Sequence, residues 1–447
     1  MSTDALKDKA RRIMRAALEA ADPAAAVSRA LAVIPRGFTA GGIPFLVEGR
    51  LVLVAVGKAA AAMTRGALGI LDDRVTGGIV VLPHGYPADI GGQAAGRVEV
   101  VAAGHPVPDE DGLRAARRVL DLIGAMQERD TCLFLLSGGG SSLLPLPTPP
   151  ITLEDKMRTT RLLLESGADI REINTVRKHI SAIKGGRLAA RCRGRIATLV
   201  ISDVVGDPLE FIASGPTVPD TTTWRDARDV LTRYSLAGSI PAAVARLVEQ
   251  GMAGDVPETP KALPTRHAVS VIASNTLALE AAAAEASAIG FAPCVLTRSL
   301  TGEAREAGRW IAAAAREVRD RGKPARPPAC ILAGGETTVT IRGTGTGGRN
   351  QEIALSAAMD LAGLSGILLA SFATDGREGN SDAAGSFASG RTIEAGARAG
   401  LDPRACLDSN DSHRFLSAAG DLIVTGPTGT NVNDICFVLV AHGPPAH

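Results

Sequence analysis

Aromatic side chains are scarce in this chain: Phe, Trp and Tyr together make up 3% of 447 residues. Stacking platforms for single-stranded nucleic acid need such rings, so that class of function is disfavoured. An excess of either charge is missing too. Lys plus Arg number 48 against 47 Asp plus Glu, a net charge of +1. That balance leaves no electrostatic case for nucleic acid or a membrane surface. The six cysteines, Cys132, Cys192, Cys294, Cys330, Cys406 and Cys436, are widely spaced and form no CxxC pair. Neither a zinc site nor a redox motif is indicated, and several of these thiols sit in apolar runs that read as buried. None of the seven histidines pairs with Cys, His or Glu at a metal-ligand spacing. There is no apolar run of about 18 residues to span a bilayer. The opening stretch, STDALKDKARRIMRAALEAADP, reads as an amphipathic charged helix without the apolar core of a secretory signal. The expected location is the cytoplasm, with no membrane and no nucleic acid among the partners.

Glycine is abundant, at 50 residues, beside 45% hydrophobic and 21% charged content. That is the composition of a globular enzyme with many tight turns. The chain is too long for one ordinary core, so two or three domains are expected. Strand-like and helix-like stretches alternate. Leu51–Val56 reads as a buried strand, Ala59–Leu68 as a helix, Gly78–Leu82 and Val98–Ala102 as strands, and Gly112–Met126 as a helix. Thr131–Leu136 and Ile196–Ser202 read as strands, with Ile170–Cys192 largely helical between them. Such alternation predicts a doubly wound parallel sheet that binds ligands at the carboxyl ends of its strands. A second α/β unit is expected to start near His267, after the Gly- and Pro-rich segment Gln250–Arg266. It would include a strand Thr337–Ile341, a helix Gln351–Leu361, and final strands Asp421–Thr425 and Asp434–Val440.

Five strand-then-loop segments carry the chemistry. Gly334-Gly335-Glu336 leads through the Thr/Val run to Gly343-Thr344-Gly345-Thr346-Gly347-Gly348, closed by Arg349-Asn350. Closely spaced N–H groups, a helix start and a guanidinium suit an anion. Having no apolar anchor, such a loop should be mobile until its ligand binds; the alternative is a long polar hairpin connection that is static. Leu51–Val56 runs into Gly57-Lys58, where a lysine could neutralise a phosphate, although the spaced glycines of a Walker loop are missing. Ser137-Gly138-Gly139-Gly140-Ser141-Ser142 offers backbone and hydroxyl donors at a strand end, or simply a tight βα turn. Asp203 and Asp207 follow Val200-Ile201-Ser202, and Asp375 follows Ala373-Thr374. Acids there can hold Mg²⁺, orient a hydroxyl, or cap a helix. The basic run Arg177–Arg195 is by default a solvated helix face, with an anionic-substrate contact as the other option. A phosphoryl transferase accounts for these loops, acids and cations together. A nicotinamide oxidoreductase would want G-x-G-x-x-G opening a helix with an acidic residue about twenty residues on, and that full combination is missing. A non-catalytic sugar-acid binding protein would not need the paired acids.

The motifs AVGKAAAAM (55–63), LLSGGGSSLLPLP (135–147), INTVRKHISAIKGGRLA (173–189), ISDVVGDPLEFIASGPT (201–217), GGETTVTIRGTGTGGRNQE (334–352) and FATDGREGNSDAAG (372–385) resemble those of the class II glycerate 2-kinases. That family is also labelled by its C-terminal MOFRL domain, and some members carry the name hydroxypyruvate reductase. The resemblance implies ATP-dependent phosphorylation of the 2-hydroxyl of D-glycerate, with Mg²⁺. It implies a larger Rossmann-like α/β domain over 1–255 and a smaller α/β domain over 265–447. The MOFRL region with its mixed sheet would fall at 328–440, and the active site in the interdomain cleft. The family's essential lysine and arginine correspond to Lys58 and Arg349, and a homodimer is in keeping with the resemblance. The expected site is then Lys58, Arg349 and Asp203 as catalytic groups. Ser137, Gly138, Gly139, Gly140, Ser141, Ser142, Lys184, Asn275, Gly335, Glu336, Thr337, Gly347, Asn350 and Asp375 are the expected binding groups. Asp203, Asp207 and Asp375 are the expected metal ligands. NAD(P)H-dependent hydroxypyruvate reduction and sugar-acid binding without catalysis stand as the alternatives.

Overall fold

The computed structural model describes residues 1–442. The chain folds into two compact units: Pro23–Ile272, and a second made of Met1–Asp22 together with the chain from Ala273 on. In the first unit, β1 (Leu31–Ile34), β2 (Gly37–Ala40) and β3 (Ile43–Leu46) form a small antiparallel sheet. The main sheet comprises β4 (Leu51–Val56), β5 (Val75–Pro83), β6 (Val98–Ala103), β7 (Thr131–Leu136), β8 (Arg195–Ile201) and β9 (His267–Ala273). Its order is β6-β5-β4-β7-β8-β9. The pairs β4–β5, β4–β7, β5–β6 and β7–β8 are parallel.

Counted along the chain from β4, the order runs third, second, first, fourth, fifth, sixth, as in doubly wound Rossmann-like sheets. The order reverses between β4 and β7, and ligands of such sheets bind at that crevice, outside the carboxyl ends. β4 and β7 read LVLVAV and TCLFLL, and every residue of both is buried. Continuous apolar runs of this kind are what a strand covered on both faces requires. Helix Glu110–Gly124 turns Leu113, Ala116, Val119 and Ile123 onto this sheet, and the Asp109 side chain caps its first turn by accepting from the Gly112 N–H.

The second unit has a six-stranded mixed sheet built from β10 (Ala292–Leu300), β11 (Ala329–Gly335), β12 (Ile367–Ala373), β13 (Gly385–Ser389), β14 (Leu422–Ile423) and β15 (Asp434–Val440). The order is β10-β11-β15-β12-β13-β14, with β10–β11 parallel and the other pairs antiparallel. Helix Thr3–Ala21 belongs here. It buries Leu6, Ile13 and Met14, packs on helix Asn275–Ala288, and forms the ion pairs Arg12–Glu285 and Lys7–Asp421 at 2.7 and 2.6 Å. Helix Arg349–Leu361 lies so close to helix Ala304–Arg321 that a Cβ on Gly308 would meet the Ile353 carbonyl oxygen at 2.4 Å.

Several elements differ from the sequence expectation. β9 is an edge strand of the first sheet, so the second unit starts after it, whereas the Gly/Pro-rich segment had suggested a start near His267. The long helix over Ile170–Cys192 is broken into Ile170–His179 and Arg187–Ala190, because Gly185 and Gly186 turn at φ +56 and +80°. No strand forms over Thr337–Ile341. Only Thr338 makes a bridge, to Glu303, while Thr340 gives its N–H and hydroxyl to the Glu303 carboxylate. The strand expected over Asp421–Thr425 is confined to Leu422–Ile423.

Candidate functional site

In the first unit the loops after β4 and β7 are laced together at the point where the sheet order reverses. The Ser137 N–H donates to the Val56 carbonyl at 2.9 Å, the Lys58 N–H to the Gly138 carbonyl at 2.9 Å, and the Ala59 N–H to Ser137 Oγ at 3.1 Å. Gly57 sits at φ +130°, where a Cβ would lie 2.1 Å from Ser137 Oγ, so the contact demands glycine. A Cβ on Gly138 would meet Asp203 Oδ2 at 2.0 Å, and one on Gly139 would meet the His105 ring at 2.9 Å and Lys58 Cγ at 3.5 Å. Lys58, Asp203 and His105 therefore surround the Ser137–Ser142 loop. Burial, and then the neighbouring Lys58 charge, lower the His105 pKa, which favours a neutral imidazole there. Sequence reasoning missed His105. Its place at the carboxyl end of β6 was the available signal.

The other flank of the same loop is held by Lys184. Its Nζ donates to the Ser141 carbonyl at 3.0 Å and to Ser141 Oγ at 2.9 Å. Ser141 Oγ lies 2.6 Å from Ser214 Oγ, which donates to Asn174 Oδ1 at 2.9 Å. The basic run is thus no solvated helix face. Lys178 and Lys184 are buried, and Lys178 is paired with Asp220 at 2.6 Å and Glu210 at 3.2 Å. Arg177 is half-buried, and Lys156, from helix Leu153–Glu165, is 4% exposed. Lys156 Nζ and Arg177 Nε have no hydrogen-bond partner. Hydropathy alone gives no hint of a buried lysine, so Lys156 was not anticipated.

In the second unit Arg349 opens helix Arg349–Leu361 and is held by Glu336 at 2.6 Å and by Asp434 at 2.9 Å. Burial works against the Arg349 charge, but Asp434 and Glu336 outweigh it and raise the pKa, keeping the guanidinium protonated. Burial raises the Asp434 carboxyl to about 6 and the Glu378 carboxyl to about 8. Asn275 donates to the Val432 and Asp434 carbonyls at 2.9 Å, so it works as a clamp on the start of β15. A Cβ on Gly334 would meet its Oδ1 at 1.9 Å, which ties the Gly334–Gly335 turn to that clamp. Thr337 is buried with an unpartnered hydroxyl, and Asn350 Oδ1 accepts from Ser371 at 2.6 Å. Arg349, Asp375, Arg377, Asn380 and the glycine loop line one cleft of about 720 Å³.

The glycine loop itself is no open anion cradle. Asn410 Oδ1 accepts from the Arg342 and Gly343 N–H groups at 2.7 and 3.0 Å, and Asn380 Oδ1 from Gly347 at 3.0 Å. The Ser409 carbonyl accepts from Gly345 and Asp411 Oδ1 from Thr346, both at 3.1 Å. At the helix start the Glu378 carboxylate already takes the Asn350 and Gln351 N–H groups, at 2.6 and 2.9 Å. The glycines serve close packing instead: Cβ atoms on Gly343, Gly345 and Gly348 would meet Ser409, Asp411 and Glu378 at 2.4, 2.5 and 2.8 Å.

Among the described residues one group of three metal-capable side chains converges, His84 with Asp109 and Asp111. The anticipated ligands Asp203, Asp207 and Asp375 do not form such a group. Asp207 is half-buried in a turn at φ +55°, and Asp375 Oδ1 accepts from the Arg377 N–H at 3.1 Å. Mg²⁺ keeps water and substrate phosphates in its shell and needs only one or two protein carboxylates.

Fold and site together define a two-unit α/β protein that gathers cations and hydroxyls at the reversal point of a doubly wound sheet. Residues 9–249 match a domain of unknown function, DUF4147, and residues 329–434 match the MOFRL family. A glycerate 2-kinase of Pyrococcus horikoshii is 44% identical over 431 residues, 96% of each chain. A putative hydroxypyruvate reductase of Agrobacterium vitis is also 44% identical, over 96% of this chain and 93% of that one. The crystal structure of glycerate kinase from Thermotoga maritima superposes with a TM-score of 0.88 at 42% identity, over 98% of this chain and all of that one (100%). The chain belongs to the class II glycerate kinase family. Among the described residues no helix is long and apolar enough to cross a membrane.

Proposed function

We propose that the protein is a glycerate 2-kinase that transfers a phosphoryl group from ATP to the 2-hydroxyl of D-glycerate. The observation that carries this reading is Lys58 and the Ser137–Ser142 loop at the reversal point of the sheet, laced by the Lys58 N–H to Gly138 bond of 2.9 Å. Phosphoryl transfer asks a protein mainly for positioning and for neutralising spread negative charge. Lys58 supplies a charge at the carboxyl end of β4. The serine hydroxyls and N–H groups of the β7 loop supply donors. In the second unit Arg349, protonated and oriented by Glu336 and Asp434, is a fixed charge of the kind that stabilises a transferring phosphoryl group. Asp203, whose carboxylate overhangs the β7 loop, orients the 2-hydroxyl. Mg²⁺ would be held by Asp203 and Asp207, and its contribution is to neutralise the nucleotide's phosphates. A cytoplasmic setting goes with the reading and is supported by six free cysteines.

The printed name of the Agrobacterium relative keeps hydroxypyruvate reduction as the rival. The test couples the reaction to enolase, which accepts 2-phosphoglycerate directly. Purified protein with ATP, Mg²⁺ and D-glycerate should give phosphoenolpyruvate without phosphoglycerate mutase, and should not oxidise NADH or NADPH with hydroxypyruvate. Signal that appears only after mutase is added means attack by the 3-hydroxyl. Nicotinamide turnover without ADP ends the kinase reading.

A further inference from the structure

We infer that Lys156, Arg177 and Lys184, on the Ser141 flank of the loop after β7, form a seat for the carboxylate of the phosphoryl acceptor. The identity of that acceptor rests on the kinase reading above. The seat itself rests on the residues.

The first observation is uncompensated charge. Lys156 is 4% exposed and Lys184 1%, and Lys156 Nζ and Arg177 Nε donate to nothing. The three cations sense one another. Burial, then Lys156 and Arg177, depress Lys184. Burial, then Arg177, depresses Lys156, and burial holds Arg177 down to about 10. Lys178, the neighbouring buried lysine, takes the carboxylates of Asp220 and Glu210. An unpaired buried cation is costly to a fold, so retaining it next to two more calls for a compensating anion.

The second observation is the company these cations keep. Ser141 Oγ, Ser214 Oγ and Asn174 form a hydrogen-bonded row that ends on Lys184 Nζ. Arg177 and Ser141 are half-buried, so the cluster reaches solvent on that side. A planar guanidinium fork with an ammonium beside it suits a two-oxygen anion. A triphosphate with its metal demands an open groove, whereas Lys156 and Lys184 are almost wholly buried.

The third observation is spacing. A Cβ on Gly139 would meet the His105 ring at 2.9 Å and Lys58 Cγ at 3.5 Å, while Ser141, two residues on in the single turn Gly140–Leu143, is bonded to Lys184. One short loop therefore has a cationic group on each flank. A 2-hydroxy acid becomes an anion with two adjacent poles during transfer, the carboxylate and the phosphoryl group. Lys58 answers one pole and the Lys156–Arg177–Lys184 group the other.

The test uses Lys156→Met and Arg177→Met in the full chain. Hydrogen bonds to charged groups are worth about 10–100-fold in affinity. KM for D-glycerate should rise by roughly that factor, with KM for ATP essentially unchanged. D-glycerate methyl ester, which lacks the carboxylate charge, should be a poor substrate of the native protein and lose little further in the variants. Lys156→Met should melt no lower than the native protein, since an apolar side chain replaces an unpaired buried charge. A structural role predicts the opposite, a lower Tm with both KM values disturbed, and that result overturns the seat. So does a rise in KM for ATP alone, which assigns the cations to the nucleotide, or no change in either KM. Calorimetric titration with D-glycerate separates the two readings. Native protein that phosphorylates glycerate while Lys156→Met binds it equally well removes the seat and leaves the kinase. Native protein that binds glycerate through Lys156 and Arg177 without turnover removes the kinase and leaves the seat.

Discussion

Lys58 and Arg349 differ in how their surroundings hold them, and variants should show it. Lys58 is fixed through its backbone, whereas Arg349 is the counter-charge of Asp434, whose side chain is 8% exposed. Loss of one electrostatic group aimed at a transition state typically costs about 10²–10³-fold in kcat. Lys58→Met should lose roughly that much kcat while keeping the native Tm. Arg349→Met should lose comparable activity and also stability. Without its partner the Asp434 carboxyl, already raised to about 6, rises further. A raised carboxyl pKa means the fold binds the proton more tightly than the unfolded chain. Its penalty is absent at acid pH and grows as pH climbs from about 4 through 6 and beyond. The Tm deficit of Arg349→Met should therefore widen over that range, followed by calorimetry. A near-native kcat in either variant removes that residue from the reaction. Both residues stand out in the sequence as candidates because a cation at the end of a strand–glycine pattern has a stated chemical use. Lys156 and His105 do not, since nothing local distinguishes a buried lysine or a strand-end histidine from a surface one. Glu378 was hidden for another reason: it caps a helix that starts 29 residues earlier at Arg349 (378 − 349).

The elements that sequence pattern placed best are those buried on both faces. Thr131–Leu136 and Asp434–Val440 fall where their unbroken apolar runs put them. Pattern failed where polar side chains replace ladder bonds. Thr337–Ile341 has the β-branched residues of a strand, but its backbone pairs with Glu303 and Gly302 instead of a neighbouring strand. The Gly343–Gly348 loop is the same lesson in reverse. Its composition suggests mobility, yet Asn380, Ser409, Asn410 and Asp411 accept from its N–H groups. Amides of Gly343, Gly345, Thr346 and Gly347 should consequently be protected from hydrogen exchange in the free protein, with little gain on adding nucleotide and glycerate. Exchange at the unprotected rate in the free state would mean that these bonds do not hold the loop. Asn410→Ala removes the acceptor of two of the N–H groups and should speed exchange at Gly343 first.

At the scale of the molecule, the sequence order of the two units and their spatial composition disagree. The N-terminal helix was legible as amphipathic, but its partner was not, because periodicity says which face is apolar and nothing about what covers it. The structure assigns it to helix Asn275–Ala288, on the far side of the intervening unit in sequence. Leu6, Ile13 and Met14 are at most 5% exposed, and burying side chains of this kind is worth about 1.5–3 kcal/mol each. A chain begun at Pro23 should therefore destabilise the second unit by about 5 kcal/mol. Exchange should accelerate first in Asn275–Ala288, where the cover is lost. Acceleration that begins in β4 and β7 instead would place the helix's main contribution elsewhere.

The split composition of that unit also has a temporal side. Helix Thr3–Ala21 leaves the ribosome well before Asn275–Ala288, which follows about 250 residues later. At roughly 5–20 residues per second, that interval is on the order of ten to fifty seconds. During it the nascent chain carries an uncovered Leu6–Ile13–Met14 stripe while Pro23–Ile272 has all of its own sequence in hand. The inserted unit can complete its sheet early; the one that encloses it in sequence must wait for β15. Helix Thr3–Ala21 thus waits uncovered for its partner during synthesis, open to chaperones and to wrong partners until Asn275–Ala288 follows.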